Sequence, residues 1–205
     1  IPMLIKGLGV DRFGVLSLAW MFIGYFSLFD LGLGRALTKL VAEKIGAGEE
    51  KEIPSLAWTS LFLMAALGVV GAAAVYSVSP WLVRHVLKIP YVLQAETIQS
   101  FRLFAFSVPI VISTAGLRGI LEAQQRFDLT NAVRIPMGVF TFLGPVLVLS
   151  FSHSLVPIIA ILLIGRVVAW AVHLMFCLHA MPSLRRRVAL QRRVIGPLFR
   201  FGGWI

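Results

Sequence analysis

The run Leu155 to Leu178 (LVPIIAILLIGRVVAWAVHLMFCL) is apolar almost throughout, yet it carries Arg166 near its middle. About 20 apolar residues are enough to cross a bilayer as one helix. An arginine at the centre of such a helix costs roughly 2.5–3.5 kcal/mol on insertion scales. A membrane helix keeps that charge only if the guanidinium faces protein, water or a ligand rather than lipid. The expectation is therefore a helix that lines a polar cavity inside a membrane and offers it a fixed positive charge.

The rest of the chain agrees with a membrane setting. Of its 205 residues 59% are hydrophobic and only 14% are charged, with a mean hydropathy of +0.90. A soluble domain is about 45–50% apolar and about 25% charged, and a chain of this length has too little core to hide the excess. The net charge is +10, from 19 Lys and Arg against 9 Asp and Glu. Because the basic residues gather between apolar runs, anionic lipid headgroups are their expected partner and nucleic acid is not. A single cysteine, Cys177, allows no intrachain disulfide.

Five complete spans can be drawn, at about Phe13–Gly34, Ile53–Ser79, Leu103–Ala123, Leu129–Phe151 and Leu155–Leu178. The chain opens at Ile1 in the tail of an apolar segment (IPMLI), and residues 194–205 (VIGPLFRFGGWI) open another. Both ends read as cuts through membrane helices. The domain reading is a six-helix bundle over 1–193, its first helix truncated, followed by the truncated start of a seventh helix at 194–205. Thirteen of the 19 basic residues fall on one side: in the connections Arg35–Glu52 and around Arg118–Arg134, and in a last connection with Arg185, Arg186, Arg187, Arg192 and Arg193, with Arg200 beyond it. Lys6, Arg12, Arg84, Lys88 and Arg102 fall on the other side. The basic-rich side is expected to be cytoplasmic, with the N-terminus on it. Two connections, Arg35–Lys51 and Pro80–Leu93, carry enough apolar residues to lie flat at the membrane surface.

On a helix, Arg166, Trp170 and His173 share one stripe, and the indole is placed to stack on the guanidinium. Such a stripe suits an anionic or sugar-bearing ligand. The competing reading ties Arg166 to backbone carbonyls or to a carboxylate on a neighbouring helix, and makes His173 a packed, hydrogen-bonded residue. Asp30 is a candidate for ion coupling or gating, or else an interfacial residue paired with Arg35. Arg118 and Glu122 are spaced to pair on one face, and Glu122 is a second coupling candidate. Arg118 and Arg134 together could receive a diphosphate, since guanidinium forks match phosphate oxygens; the plain alternative is ordinary cytoplasmic charge. Pro109, beside Ser107, is placed to kink its helix. No GxSxG, HExxH, CxxC or Walker loop is present, and the four histidines lack metal-ligand spacing. The reading is therefore not an enzyme, with no cofactor and no metal.

The opening IPMLIKGLGVDRFGVLSLAW resembles that of polysaccharide-repeat flippases of the Wzx type, in the multidrug/oligosaccharidyl-lipid/polysaccharide exporter superfamily. The shared features are Pro2, Leu8-Gly9, Asp11-Arg12 and Phe13-Gly14. DLGLGRALTK, with Asp30, Gly32, Ala36 and Lys39, is similar to the close of that family's second helix. GLRGILEAQQRFDLTNAVR, Gly116 to Arg134, resembles a later link. The resemblance covers the whole chain as an N-terminal half. It implies an all-α polytopic bundle, the first six-helix half of a two-bundle fold around a central cavity. The implied activity is the flipping of an undecaprenyl-diphosphate-linked oligosaccharide across the bacterial inner membrane, completed by a C-terminal bundle. Within the same superfamily, a peptidoglycan-precursor flippase or a multidrug/ion antiporter is the alternative. A drug exporter, however, needs cavity carboxylates where this chain has Arg166.

Overall fold

The run that carries Arg166 is one unbroken helix, and the other helices can be placed from it. In the computed structural model the described residues are 1–26, 32–87, 89–186 and 196, with the side chains of 23–26 and 186 excepted. The α-helices are α1 (Pro2–Leu8), α2 (Val10–Phe26), α3 (Leu33–Gly46), α4 (Ile53–Trp81), α5 (Tyr91–Ala105), α6 (Ser107–Ala123), α7 (Phe127–Leu149), α8 (Leu155–Ala180) and α9 (Ser183–Arg186). A 3-10 turn (Glu50–Glu52) leads into α4 and a π-helical turn (Leu82–Val86) leaves it. Among the described residues four helical stretches are long and apolar enough to cross a membrane: Glu50–Val86, Tyr91–Ala123, Phe127–Leu149 and Leu155–Ala180. The fold is an all-α polytopic membrane bundle.

The helices pack through small residues. A Cβ on Gly68 of α4 would overlap the Pro109 backbone of α6. A Cβ on Gly119 of α6 would meet the Gly34 carbonyl oxygen of α3 at 3.0 Å. Between lipid-soluble helices the hydrophobic effect gives little specificity, so close backbone approach supplies the packing contacts. Hydroxyls inside the helices are satisfied locally: Ser17, Ser60, Ser113 and Thr141 each donate to the carbonyl four residues earlier.

The structure corrects the sequence reading in four places. The span drawn over Phe13–Gly34 does not reach Gly34, because Gly32 is left-handed (φ 72°) and α3 starts at Leu33. The Arg35–Lys51 connection is largely α3, and its apolar face does not lie flat on a membrane. Leu33, Ala36, Leu37 and Val41 are buried against the bundle, mainly on α6. Pro80–Leu93 is not a surface helix either: α4 runs through Pro80 to Trp81 and the π-helical turn continues it. The span drawn from Leu103 begins twelve residues earlier, at Tyr91, and is broken at Phe106 into α5 and α6. Pro109 explains the break, since it offers no N–H to the Ala105 carbonyl and its ring crowds that turn. Beside it, Ser107 Oγ donates to the neighbouring Phe104 carbonyl at 2.7 Å.

Opposite ends of the bundle collect different groups. At one end Glu96 of α5 accepts from Arg12 of α2 and from the start of α8. At the other end the Trp58 indole of α4 donates to the Leu184 carbonyl at 3.1 Å. The ion pair Arg118–Glu122 lies toward this second end.

Candidate functional site

Two contacts set the register between α8 and the broken helix α5–α6. The Leu155 amide donates to Glu96 at 2.6 Å, and the Cys177 thiol donates to the Leu117 carbonyl at 3.2 Å. Arg166 is eleven residues from each of these α8 markers, and stepping the same distance along α5–α6 arrives at Phe106 and Ser107. Arg166 is therefore level with the helix break. There the Ala105 carbonyl has lost its helical partner to Pro109, and α5 presents its carbonyl end, where a cation is favoured.

Arg166 lies on the inner face of α8. Leu155, Ile159, Leu162, His173 and Cys177, which share its face at helical spacing, are all buried. Ile164, Val167, Val168 and Met175 on the other side are exposed. Arg166 itself is half-buried, and it makes no hydrogen bond or ion pair with any described residue. On the next helix, Phe140 of α7 lies against Gly165. Two residues further along α7, Phe142 meets the Trp20 indole of α2 edge-on at 5.2 Å between ring centres. The level of Arg166 is thus ringed by α2, the α5–α6 break and α7.

The expected stripe is only partly realised. Trp170 does not stack on Arg166. Its ring lines an apolar groove of about 200 Å³ with Trp58, Leu61 and Phe62 of α4 and Leu117 of α6. His173 is buried, and its Nδ1–H donates to the Ala169 carbonyl at 2.8 Å. Its Nε2 is covered and has no partner among the described residues. This fits the packed, hydrogen-bonded reading of that histidine on one nitrogen only.

The cations on α6 and α7 sit at other depths. Arg118 pairs with Glu122 at 3.3 Å, one turn apart as the spacing foretold, and both remain partly exposed. Arg134 is exposed, six residues along α7 from Phe140, which puts it about 9 Å from the Arg166 level at 1.5 Å per residue. The same rise separates Arg118 from the helix break by about 18 Å. Arg118 and Arg134 are not brought to one level. Asp30 lies outside the described residues.

Sequence reasoning missed two charged positions. Arg102, assigned to a connection, stands inside α5, with its guanidinium carbon 4.9 Å over the Tyr76 ring of α4. Glu96, not singled out at all, joins three helices. The usable signal was Pro109: a break there allows the span to begin earlier, at Tyr91.

The MatE family profile matches residues 1–140. The chain belongs to the MatE family. A curated Shigella flexneri protein named "Putative O-antigen transporter" is 26% identical over 202 residues, covering 98% of this chain and 47% of that relative. The structure of a multidrug resistance MATE transporter in an inward-facing conformation superposes on this MatE chain with a TM-score of 0.77 at 20% identity, covering 97% of this chain and 47% of that one. A Pyrococcus furiosus transporter of the same superfamily, described as having a binding pocket of reverse polarity, gives a TM-score of 0.73 at 19% identity, with 97% and 45% coverage. This MatE chain thus spans about half the length of the relatives it matches, and those relatives are named as transporters.

Proposed function

We infer that this chain is the N-terminal bundle of an exporter that flips a diphosphate-linked oligosaccharide lipid across the bacterial inner membrane by alternating access. On this reading the described helices belong to one bundle, drawn over 1–193, and a C-terminal bundle supplies the other wall of the cavity; the further helix expected at 194–205 lies outside the described residues except for residue 196. The observation that carries it is the position of Arg166: half-buried, on the inner face of α8, and without an anionic partner among the described residues. A half-buried cation that no described residue neutralises favours an anionic cargo. A cationic drug would meet repulsion at the same place. The likeness to an O-antigen transporter supports this cargo class.

Arg118 and Arg134 fit the same reading as cations met in succession by the diphosphate rather than as a single clamp, since they stand at different depths. The sugars would follow the charged head while the prenyl chain stays in lipid. Trp170 fits a sugar or prenyl contact through its groove. The direct test is Arg166→Ala in the full-length protein, in cells that depend on it for surface polysaccharide. Export is expected to be lost while membrane insertion is kept, and normal surface polysaccharide would refute the role.

A further inference from the structure

Arg102 is a second arginine inside a spanning helix, and it is held differently from Arg166. Its guanidinium carbon lies over the Tyr76 ring, 4.9 Å from the ring centre. Its Nε is covered and has no partner among the described residues, whereas its two terminal nitrogens are not among the covered atoms. No acidic side chain among the described residues pairs with it.

The surroundings are apolar and open. Phe106, four residues on from Arg102 at the end of α5, is 59% exposed, and Val69, two turns from Tyr76 on α4, is 59% exposed. Thr97, Ser100, Phe101 and Phe104, on the opposite face of α5, are buried. Arg102 is six residues from Glu96, so it lies about 9 Å below the Arg12 end of the bundle. Side chains on a helix lean toward its N-terminus, and α5 starts at that end. The guanidinium therefore reaches back toward the membrane surface on which Arg12 lies.

A cation on an exposed apolar wall of a spanning helix needs an anion that can itself stay in the membrane. We propose that Arg102 and Tyr76 form a binding site for an anionic phospholipid, with the phosphodiester on the guanidinium edge and the acyl chains along Val69 and Phe106. The cation–π contact with Tyr76 holds the guanidinium in place and leaves its terminal nitrogens free for phosphate oxygens. A free phosphate ion would have to leave water for an apolar wall, which favours the lipid. The site is separate from Arg166, which lies on the buried face of another helix, so it stands whether or not the cargo reading does.

The test uses the full-length protein in nanodiscs of phosphatidylcholine, alone or mixed with phosphatidylglycerol, read by native mass spectrometry and thermal unfolding. Wild type is expected to retain phosphatidylglycerol and to unfold at a higher temperature in the mixed discs. Arg102→Gln is expected to lose both effects, with retention down several-fold. Arg84→Gln, which removes an exposed cation from the same end, should keep them. Equal retention by wild type and Arg102→Gln would overturn the site, as would an equal loss in Arg84→Gln. One further result would also overturn it: the same stabilisation from inorganic phosphate without the anionic lipid.

Discussion

Glu96 holds Arg12 with one carboxylate oxygen and the first turn of α8 with the other. Oε2 accepts from Arg12 Nε at 3.1 Å, while Oε1 accepts from the Ser154 hydroxyl at 2.8 Å and the Leu155 amide at 2.6 Å. One side chain on α5 thus caps α8 and anchors α2. Glu96→Ala should leave that helix end uncapped and Arg12 unpaired. Because Arg12 is about a third exposed, the ion pair adds little and the cap dominates, for a total cost of about 2 kcal/mol. Glu96→Gln, which keeps a carbonyl acceptor, should cost less. Thermal unfolding in detergent checks this, with Glu43→Ala as the exposed reference. A loss no larger than that of Glu43→Ala would remove the capping role.

The Glu96 junction was not legible in the sequence, because its partners lie 84, 58 and 59 residues away. What was legible followed from periodicity within single helices. The α8 span with Arg166 inside it and the Arg118–Glu122 pair both depend on spacing along one helix. The apolar face of α3 was legible too, but not its destination, since α6 and a lipid surface are both apolar. Arg102 was assigned to a connection because Gln94, Glu96, Gln99 and Arg102 make the first half of that span look polar. The structure shows each of these half-buried except Gln99, which is exposed.

Gly68 and Gly138 should respond in opposite directions to the same substitution. Both lie inside helices. A Cβ on Gly68 meets the Pro109 backbone, which cannot move aside as a flexible side chain would, whereas Gly138 has open space around it. Gly68→Ala is expected to destabilise by about 1–3 kcal/mol through overpacking. Gly138→Ala is expected to be neutral or to stabilise by up to about 1 kcal/mol through helix propensity. Melting temperatures of the two variants in one detergent decide it. A neutral Gly68→Ala would mean that α4 and α6 are not in close contact there.

If Arg166 acts through its charge, Arg166→Lys should keep a measurable part of export and Arg166→Gln should keep none. A lysine keeps the positive charge but loses the forked, bidentate contact with phosphate oxygens. The reduction for lysine is expected to be on the order of tenfold, matching the loss of one charge-assisted hydrogen bond. Flipping by each variant, normalised to the amount in the membrane, is the measurement. Export by Arg166→Gln at the wild-type level would show that the position needs a polar side chain and not a cation.

Cys177 reports on the packing between α6 and α8. Its thiol is fully buried and donates to the Leu117 carbonyl, which fixes the register that places Arg166 beside the α5–α6 break. A reagent needs the thiolate and a path to it. A membrane-permeant maleimide should therefore leave Cys177 unlabelled in the folded protein and label it after denaturation. Gly116→Leu, which pushes a side chain into Met64 and Leu61 across the α4–α6 contact, should speed labelling if α6 shifts away from α8. Rapid labelling of the unaltered protein would mean that α6 and α8 are not packed in this register, and Arg166 would no longer be level with the helix break.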